Sequence, residues 1–301
     1  MNEKTTFELE EARLTNKPHN AGIIFTFILN AVLLAGLLFL NYGASSLGIT
    51  RSGIANSSRL YPIDVSPAGY TFSTWGVIFT LQVLWTLYSI ASIFLKTKNG
   101  KLYQEPAVFT PSFFMFIFLH YGYLYGWLFV LDSNYLTISF VFLAIPSVCL
   151  YLAGAVSHKN IFDAQKKLED NKVYLWLYRI LVNNGIAFYA AWTTLATFLN
   201  LAISWTYEWN GKRDVASITS LTLATLLVFV YVFLDVVVFE KYTRFTISPY
   251  LQLIWGYTGI LVKNWSSKTT SAYLALSYLI AIIILTVIKF IVTFVKQMKP
   301  S

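Results

Sequence analysis

The sequence predicts an all-α fold, a polytopic transmembrane helix bundle of about eight spans. Three observations predict it. Hydrophobic residues make up 56% of the 301-residue chain, and mean hydropathy is +0.59. Charged residues make up 12%, about half the share usual in a soluble globular protein. The apolar residues also fall into runs of the ~20 residues needed to cross the hydrocarbon core, and the gaps between runs hold most of the Lys and Arg. Lipid-facing surface must itself be apolar, which accounts for more apolar sequence than a soluble core requires.

The opening segment, residues 1–21, is polar and carries Glu3, Glu8, Glu10 and Glu11. It lacks the basic start and small-residue cleavage site of a signal peptide. It reads as an uncleaved tail with too little apolar sequence to fold alone. Spans are expected near 22–42, 70–95, 109–131, 135–157, 180–205, 216–239, 246–263 and 271–295. Ser66-Pro67 suggests an N-cap and first-turn proline for the second span. Pro111 and Pro249 fall in the opening turns of the third and seventh, and Pro146 lies inside the fourth, where a kink is expected. The seventh is short and carries Gln252, Gly256 and Gly259. Between spans four and five, Phe162–Glu169 reads either as a short amphipathic helix on the membrane surface or as a solvated connector.

Basic residues set the direction. With eight spans, one side holds Lys4, Arg13, Lys17, Lys96, Lys98, Lys101, Lys159, Lys166, Lys167, Lys172, Arg179, Lys241, Arg244, Lys289, Lys296 and Lys299, 16 in all. The other holds 6: Arg51, Arg59, Lys212, Arg213, Lys263 and Lys268. The positive-inside rule places the first side, with both termini, in the cytoplasm. The chain's two N-x-S/T sequons, at Asn56 and Asn264, both fall on the opposite side; Asn56, in the longer loop, is the better glycosylation candidate. The net charge of +8 is spread over short gaps rather than gathered in a patch, so no nucleic-acid partner is expected. A single cysteine, Cys149, excludes an intramolecular disulfide framework.

Aromatic residues reach 18% and concentrate in three segments. Pro67-Ala68-Gly69-Tyr70-Thr71-Phe72-Ser73-Thr74-Trp75-Gly76 opens the second span, Tyr121-Gly122-Tyr123-Leu124-Tyr125-Gly126-Trp127 ends the third, and Ala191-Trp192-Thr193-Thr194-Leu195-Ala196-Thr197-Phe198-Leu199-Asn200 lies late in the fifth. Alternating direction puts all three at one depth, in the outer leaflet. Two readings of them stand: packing residues with an interfacial aromatic belt, or the wall of a pocket for a flat or hydrophobic ligand. Small residues at Gly69, Gly76, Gly122, Gly126 and Ala196 would allow close helix approach or leave room between rings.

The first segment resembles the P-x-G-(W/Y)-x-F-x-x-x-W signature of the TspO/MBR family, the tryptophan-rich sensory proteins and translocator proteins. The third resembles that family's last-helix pattern, W-x-x-(F/L)-A-T-x-L-N. Tyr70 stands where short members usually have Trp, and Leu124 precedes Trp127 where Asn is typical. Three further spans follow those of the compact members. The resemblance implies a five-span core over 22–205 and a three-span extension over 206–301 ending in a short tail. It implies a porphyrin or sterol ligand, with Tyr70, Phe72, Trp75, Trp127, Trp192, Ala196 and Asn200 as pocket positions and Pro67 and Gly69 as structural ones; the aromatic segments themselves add Tyr123 to the pocket and Gly76 to the structural positions. Partners expected are the lipid bilayer, a hydrophobic small molecule and, as an option, a second copy in a homodimer.

Ionisable groups inside spans are costly and are functional suspects by default. Asp235 lies about four residues, roughly 6 Å at 1.5 Å per residue, from the inner end of the sixth span, and Lys289 lies at a similar depth in the eighth. They either form an ion pair or reach the interface separately, Lys289 by snorkelling. His120 reads as a helix-packing histidine, with haem ligation the sharper option. Gln82, Asn183 and Asn184 are expected to bond across helices. No H-E-x-x-H, G-x-S-x-G, Walker loop or Cys/His cluster occurs, so the sequence offers no enzyme signature and no metal site. The leading expectation is a membrane protein that binds a hydrophobic or planar molecule for sensing or transport. The alternatives are a secondary transporter or channel, hinted at by Ser-Pro followed by Trp-Gly in spans two and seven, and a structural subunit of a membrane complex.

Overall fold

Each long apolar run is helical in the computed structural model, which describes residues 18–43 and 60–298. Eight long helices result: α1 (Ala21–Tyr42), α2 (Thr74–Ala91), α3 (Pro111–Asp132), α4 (Leu136–Ala164), α5 (Asn184–Tyr207), α6 (Arg213–Phe233), α7 (Ser248–Asn264) and α8 (Thr270–Met298). Six stretches are long and apolar enough to cross a membrane by length and composition, and one, Leu136–Tyr207, contains both α4 and α5. The 17-residue α7 is the short one. It reaches about 26 Å at 1.5 Å per residue, against a hydrocarbon core of about 30 Å. Asn56 and nearly all of the polar tail lie outside the described residues.

Local chemistry sets several boundaries. The Asn20 side chain accepts a hydrogen bond from the Ile23 N–H (3.2 Å) and caps α1. Proline stands in the first turn of α3 and of α7, where its missing N–H costs nothing. Two expectations need correction. Ser66-Pro67 does not start α2: Ala68 is still extended, and a 3-10 turn, Gly69–Ser73, leads into the helix. Helix α4 runs to Ala164 instead of ending near 157, and Gln165–Asn171 is a 3-10 turn that buries Leu168. Segment 162–169 is therefore a helix end and a packed connector. Past α2, a hairpin pairs β1 (Lys96–Thr97) antiparallel with β2 (Gly100–Lys101).

Loop contacts sort into two sets and fix the alternation of direction. At the face where α1 begins, Gln104 Nε2 donates to Pro18 O (2.7 Å), Asn160 Nδ2 to Val108 O (3.0 Å), Asn184 Nδ2 to Phe245 O (2.9 Å) and Thr293 Oγ1 to Arg244 O (3.0 Å). At the far face, Tyr61 donates to Asn134 (2.9 Å), Tyr207 to Pro62 O (2.7 Å) and Asn264 Nδ2 to Ser66 O (2.9 Å), while Arg213 pairs with Asp64 (2.6 Å).

Helix α5 is central because it is apolar on more than one side. Ile186, Tyr189, Ala190 and Trp192 join a core formed with α1 to α4, while Ala191, Leu195 and Ala202 join a second core with α6 to α8. A helix apolar around most of its circumference must be covered on all those sides.

Candidate functional site

Helix direction brings the three aromatic segments together at the far face. Trp75 is the hub. Its ring stacks on Phe79 (centroids 5.6 Å) and Trp127 (6.3 Å), and meets Tyr189 (5.9 Å) and Trp192 (6.3 Å) edge-on. Phe72 meets Trp192 edge-on at 6.0 Å, and His120 meets Tyr189 at 4.7 Å. Edge-to-face and offset pairs of this kind add about 0.5–1.5 kcal/mol each beyond area burial.

A small cavity of about 60 Å³ adjoins the cluster, lined among others by Pro67, Phe72, Trp75, Trp127, Trp192 and Asn200. Ala196 also lines it. Asn200 is held in place, donating to Ala196 O (2.9 Å) and accepting from Ser139 (3.0 Å). Two residues expected on the pocket wall lie elsewhere. Tyr70 is 45% exposed and packs edge-on against Trp255 of α7, and Tyr123 packs against Phe142.

The polar atoms of this cluster are unusual. The indole nitrogens of Trp75, Trp127 and Trp192, the hydroxyls of Tyr121 and Tyr189, and His120 Nε2 are buried without a hydrogen-bond partner among the described residues. His120 Nδ1 donates to Pro146 O at 3.1 Å, so Nε2 bears the lone pair. Leaving one buried polar group unpaired costs about 1–3 kcal/mol. Tyr189, His120 and Tyr121 were not among the pocket positions expected from the sequence. Same-face spacing carried the signal: Tyr189 precedes Trp192 by one helical step of three, and His120 precedes Trp127 by seven.

The first motif has a second role that its spacing does not reveal. The Ala68 N–H donates to Gly259 O (2.9 Å), Trp255 Nε1 to Thr71 O (3.1 Å), and Thr74 Oγ1 to Gln252 Oε1 (2.6 Å). The segment that presents Phe72 and Trp75 to the cluster is thus bonded along its back to α7. The close approach occurs at Gly259, where a Cβ would lie 2.0 Å from Thr71 Oγ1. Gly69, Gly76 and Gly122 have open space around them, while at Gly126 a Cβ would lie only 2.5 Å from Phe142 Cε1. Of the small residues considered for helix approach, Gly126 has that role, and Gly259 was overlooked.

Near the opposite face, Lys289 Nζ lies 2.8 Å from Asp235 Oδ2, with both side chains 1% exposed. Tyr250 donates to the same oxygen (2.6 Å), and Lys289 also donates to Thr243 O (3.1 Å). Asp235 sits in a π turn, Leu234–Val238, that ends α6. Asn184 and Asn183 bond across helices. Asn184 Oδ1 accepts from the Ile247 and Ser248 N–H groups (3.0 and 3.1 Å), capping α7 from a neighbouring helix, and Asn183 accepts from Ser157 (2.6 Å). Gln82 Nε2 reaches Gly185 O at 3.5 Å.

These features define an integral membrane protein, an all-α polytopic bundle with a buried tryptophan-centred cluster near one face. The family described as TSPO-like protein matches residues 27–291, and the chain belongs to that family. The match runs from α1 into α8, so the three helices beyond the motifs fall within the family's pattern. No curated protein matches the chain, and no solved structure matches it.

Proposed function

We propose that the protein binds a hydrophobic, ring-bearing ligand of the class that includes tetrapyrroles and sterols, with a ligand acceptor group held against the tryptophan cluster. The observation that supports this is the set of three indole N–H groups, Trp75, Trp127 and Trp192, whose rings pack together and which are buried without acceptors among the described residues. A carbonyl or carboxylate entering the cluster would satisfy them in a low-dielectric setting, where such bonds are strong. The cavity of about 60 Å³ takes only the edge of such a molecule, since pockets that enclose a drug-sized ligand run to about 300 Å³ or more. Tyr61 and Phe72, both half-buried on its wall, are the side chains whose rotation would widen it.

The role is one of binding, for sensing or transport, rather than catalysis. In this reading the five-span portion holds the ligand and the three-span portion responds, through the bonds from Ala68, Thr71 and Thr74 to α7. The bias in basic residues supports a cytoplasmic position for the face where α1 begins.

The test is to titrate purified protein with protoporphyrin and follow tryptophan fluorescence, in the wild type and in a Trp75→Phe/Trp192→Phe variant. Saturable quenching is expected in the wild type, with at least about ten-fold weaker affinity in the variant, the loss expected for a good hydrogen bond. Wild-type quenching that rises linearly without saturation would overturn the porphyrin form of the proposal. A fluorescent sterol, titrated in parallel, tests the other form.

A further inference from the structure

A separate cavity of about 430 Å³ lies near the face where α1 begins, at the seam of α4, α5, α6 and α7. It shares no lining residue with the tryptophan site. Its walls are largely apolar, including Leu150, Ile186, Ala190, Val228 and Leu253. Leu234 and Phe239 on its lining are 37% and 48% exposed. Exposed apolar side chains at the rim suit an entrance from the bilayer.

Most polar groups on the wall are already engaged. His158 Nδ1 donates to Gly154 O (2.6 Å), and its Nε2 accepts from Thr246 (2.6 Å). Tyr151 bonds Thr194 (2.9 Å), Thr243 bonds Asp235 O (3.0 Å), and Lys159 pairs with Asp163 (2.5 Å). Asp235 differs. Both its donors, Tyr250 and Lys289, go to Oδ2, and Oδ1 is buried without a partner among the described residues.

The chemistry narrows the occupant. Asp235 and Lys289 together carry no net charge. An added cation would sit against the ammonium of Lys289, and an added anion against the carboxylate. A neutral hydroxyl gains a charge-assisted hydrogen bond to Oδ1 with no opposing charge. The depth also suits a hydroxyl: Asp235 stands three residues before Val238, where the span ends, about 4.5 Å inside it at 1.5 Å per residue, near the level of the membrane interface. We infer that this cavity is a binding site for an uncharged, hydroxyl-bearing lipid, a long-chain alcohol that enters from the bilayer, donates to Asp235 Oδ1 and lays its chain along the apolar wall.

The experiment uses the full chain in phosphatidylcholine vesicles and a diazirine-bearing hexadecanol as photoprobe, beside its methyl ether, amine and carboxylate analogues. Labelled peptides are mapped by mass spectrometry. The alcohol is expected to label segments 150–159 and 228–243 saturably. The three analogues should label them at least about ten-fold less, the factor that one hydrogen bond to a charged acceptor supplies. Ala187→Phe, which fills the cavity, and the paired change Asp235→Leu/Lys289→Met should each abolish the preference for the alcohol. Equal labelling by the alcohol and its methyl ether in the wild type would mean ordinary contact with acyl chains and would overturn the inference. So would a preference for the amine or the carboxylate. The wild-type comparison stands even where a variant fails to fold.

Discussion

Asp235 and Lys289 lie far apart in sequence yet form the one pair among the described residues whose charged side chains are both 1% exposed. Depth alone suggested their pairing: both lie inside the cytoplasmic ends of their expected spans, Asp235 about one helical turn in and Lys289 somewhat deeper. Removing one partner strands a buried charge, which costs about 3–5 kcal/mol, whereas replacing both by apolar groups is often near neutral. Asp235→Asn and Lys289→Met should each lower the thermal midpoint in detergent markedly, and the double variant should recover most of the loss. Equal losses in the singles and the double would contradict a coupled pair. Other residues were less legible. Residues of the motif segments do pack together around Trp75, but motif spacing does not fix the face a side chain takes. Tyr70 sits in a 3-10 turn, where about three residues complete a turn rather than 3.6, and it is carried out to Trp255. The unpaired indole nitrogens could not be read at all, because partnerlessness is a property of the packed neighbourhood.

Helix boundaries followed from local chemistry where a proline or a capping side chain sits at the terminus, as at Asn20, Pro111 and Pro249. They were misread where tertiary contact decides. Pro67 has the right neighbours for a first helical turn, yet Ala68 turns its N–H to Gly259 O, and the helix begins later. Helix α4 continues past the expected interface because Ser157, His158 and Ile161 still face buried partners. The seam between the first motif and α7 is where the two helical cores meet at the far face, and Gly259 is its tightest point. Gly259→Ala should force Thr71 and α7 apart at a cost of about 1–3 kcal/mol, the range for overpacking a filled interior. The measurement is thermal unfolding in detergent. Restoration by a compensating Thr71→Ala would localise the effect to this contact, and an unchanged midpoint in the single variant would argue against the tight seam.

At the scale of the whole molecule, the fold class and the number of helices were legible because the bilayer imposes length and apolarity on every span. The relation between the two groups of helices was not. It depends on α5, which gives Trp192 and Tyr189 to one core and Ala191 and Leu195 to the other. A ligand that reorients Trp192 acts on the one helix shared by both cores, and the first motif links the same cluster to α7. On the proposed function, that arrangement would give ligand binding near one face a mechanical route to the rest of the bundle. The central claim is that the buried indole N–H groups of Trp75, Trp127 and Trp192 meet ligand acceptors. It is tested most directly by nuclear magnetic resonance of indole-¹⁵N-labelled protein in detergent, with resonances assigned by single Trp→Phe variants and followed as protoporphyrin is added. The account predicts that these three N–H signals shift together and saturably while that of Trp85, already bonded to Gln82 at 2.7 Å, stays in place. Saturable binding that leaves all three unmoved would contradict it.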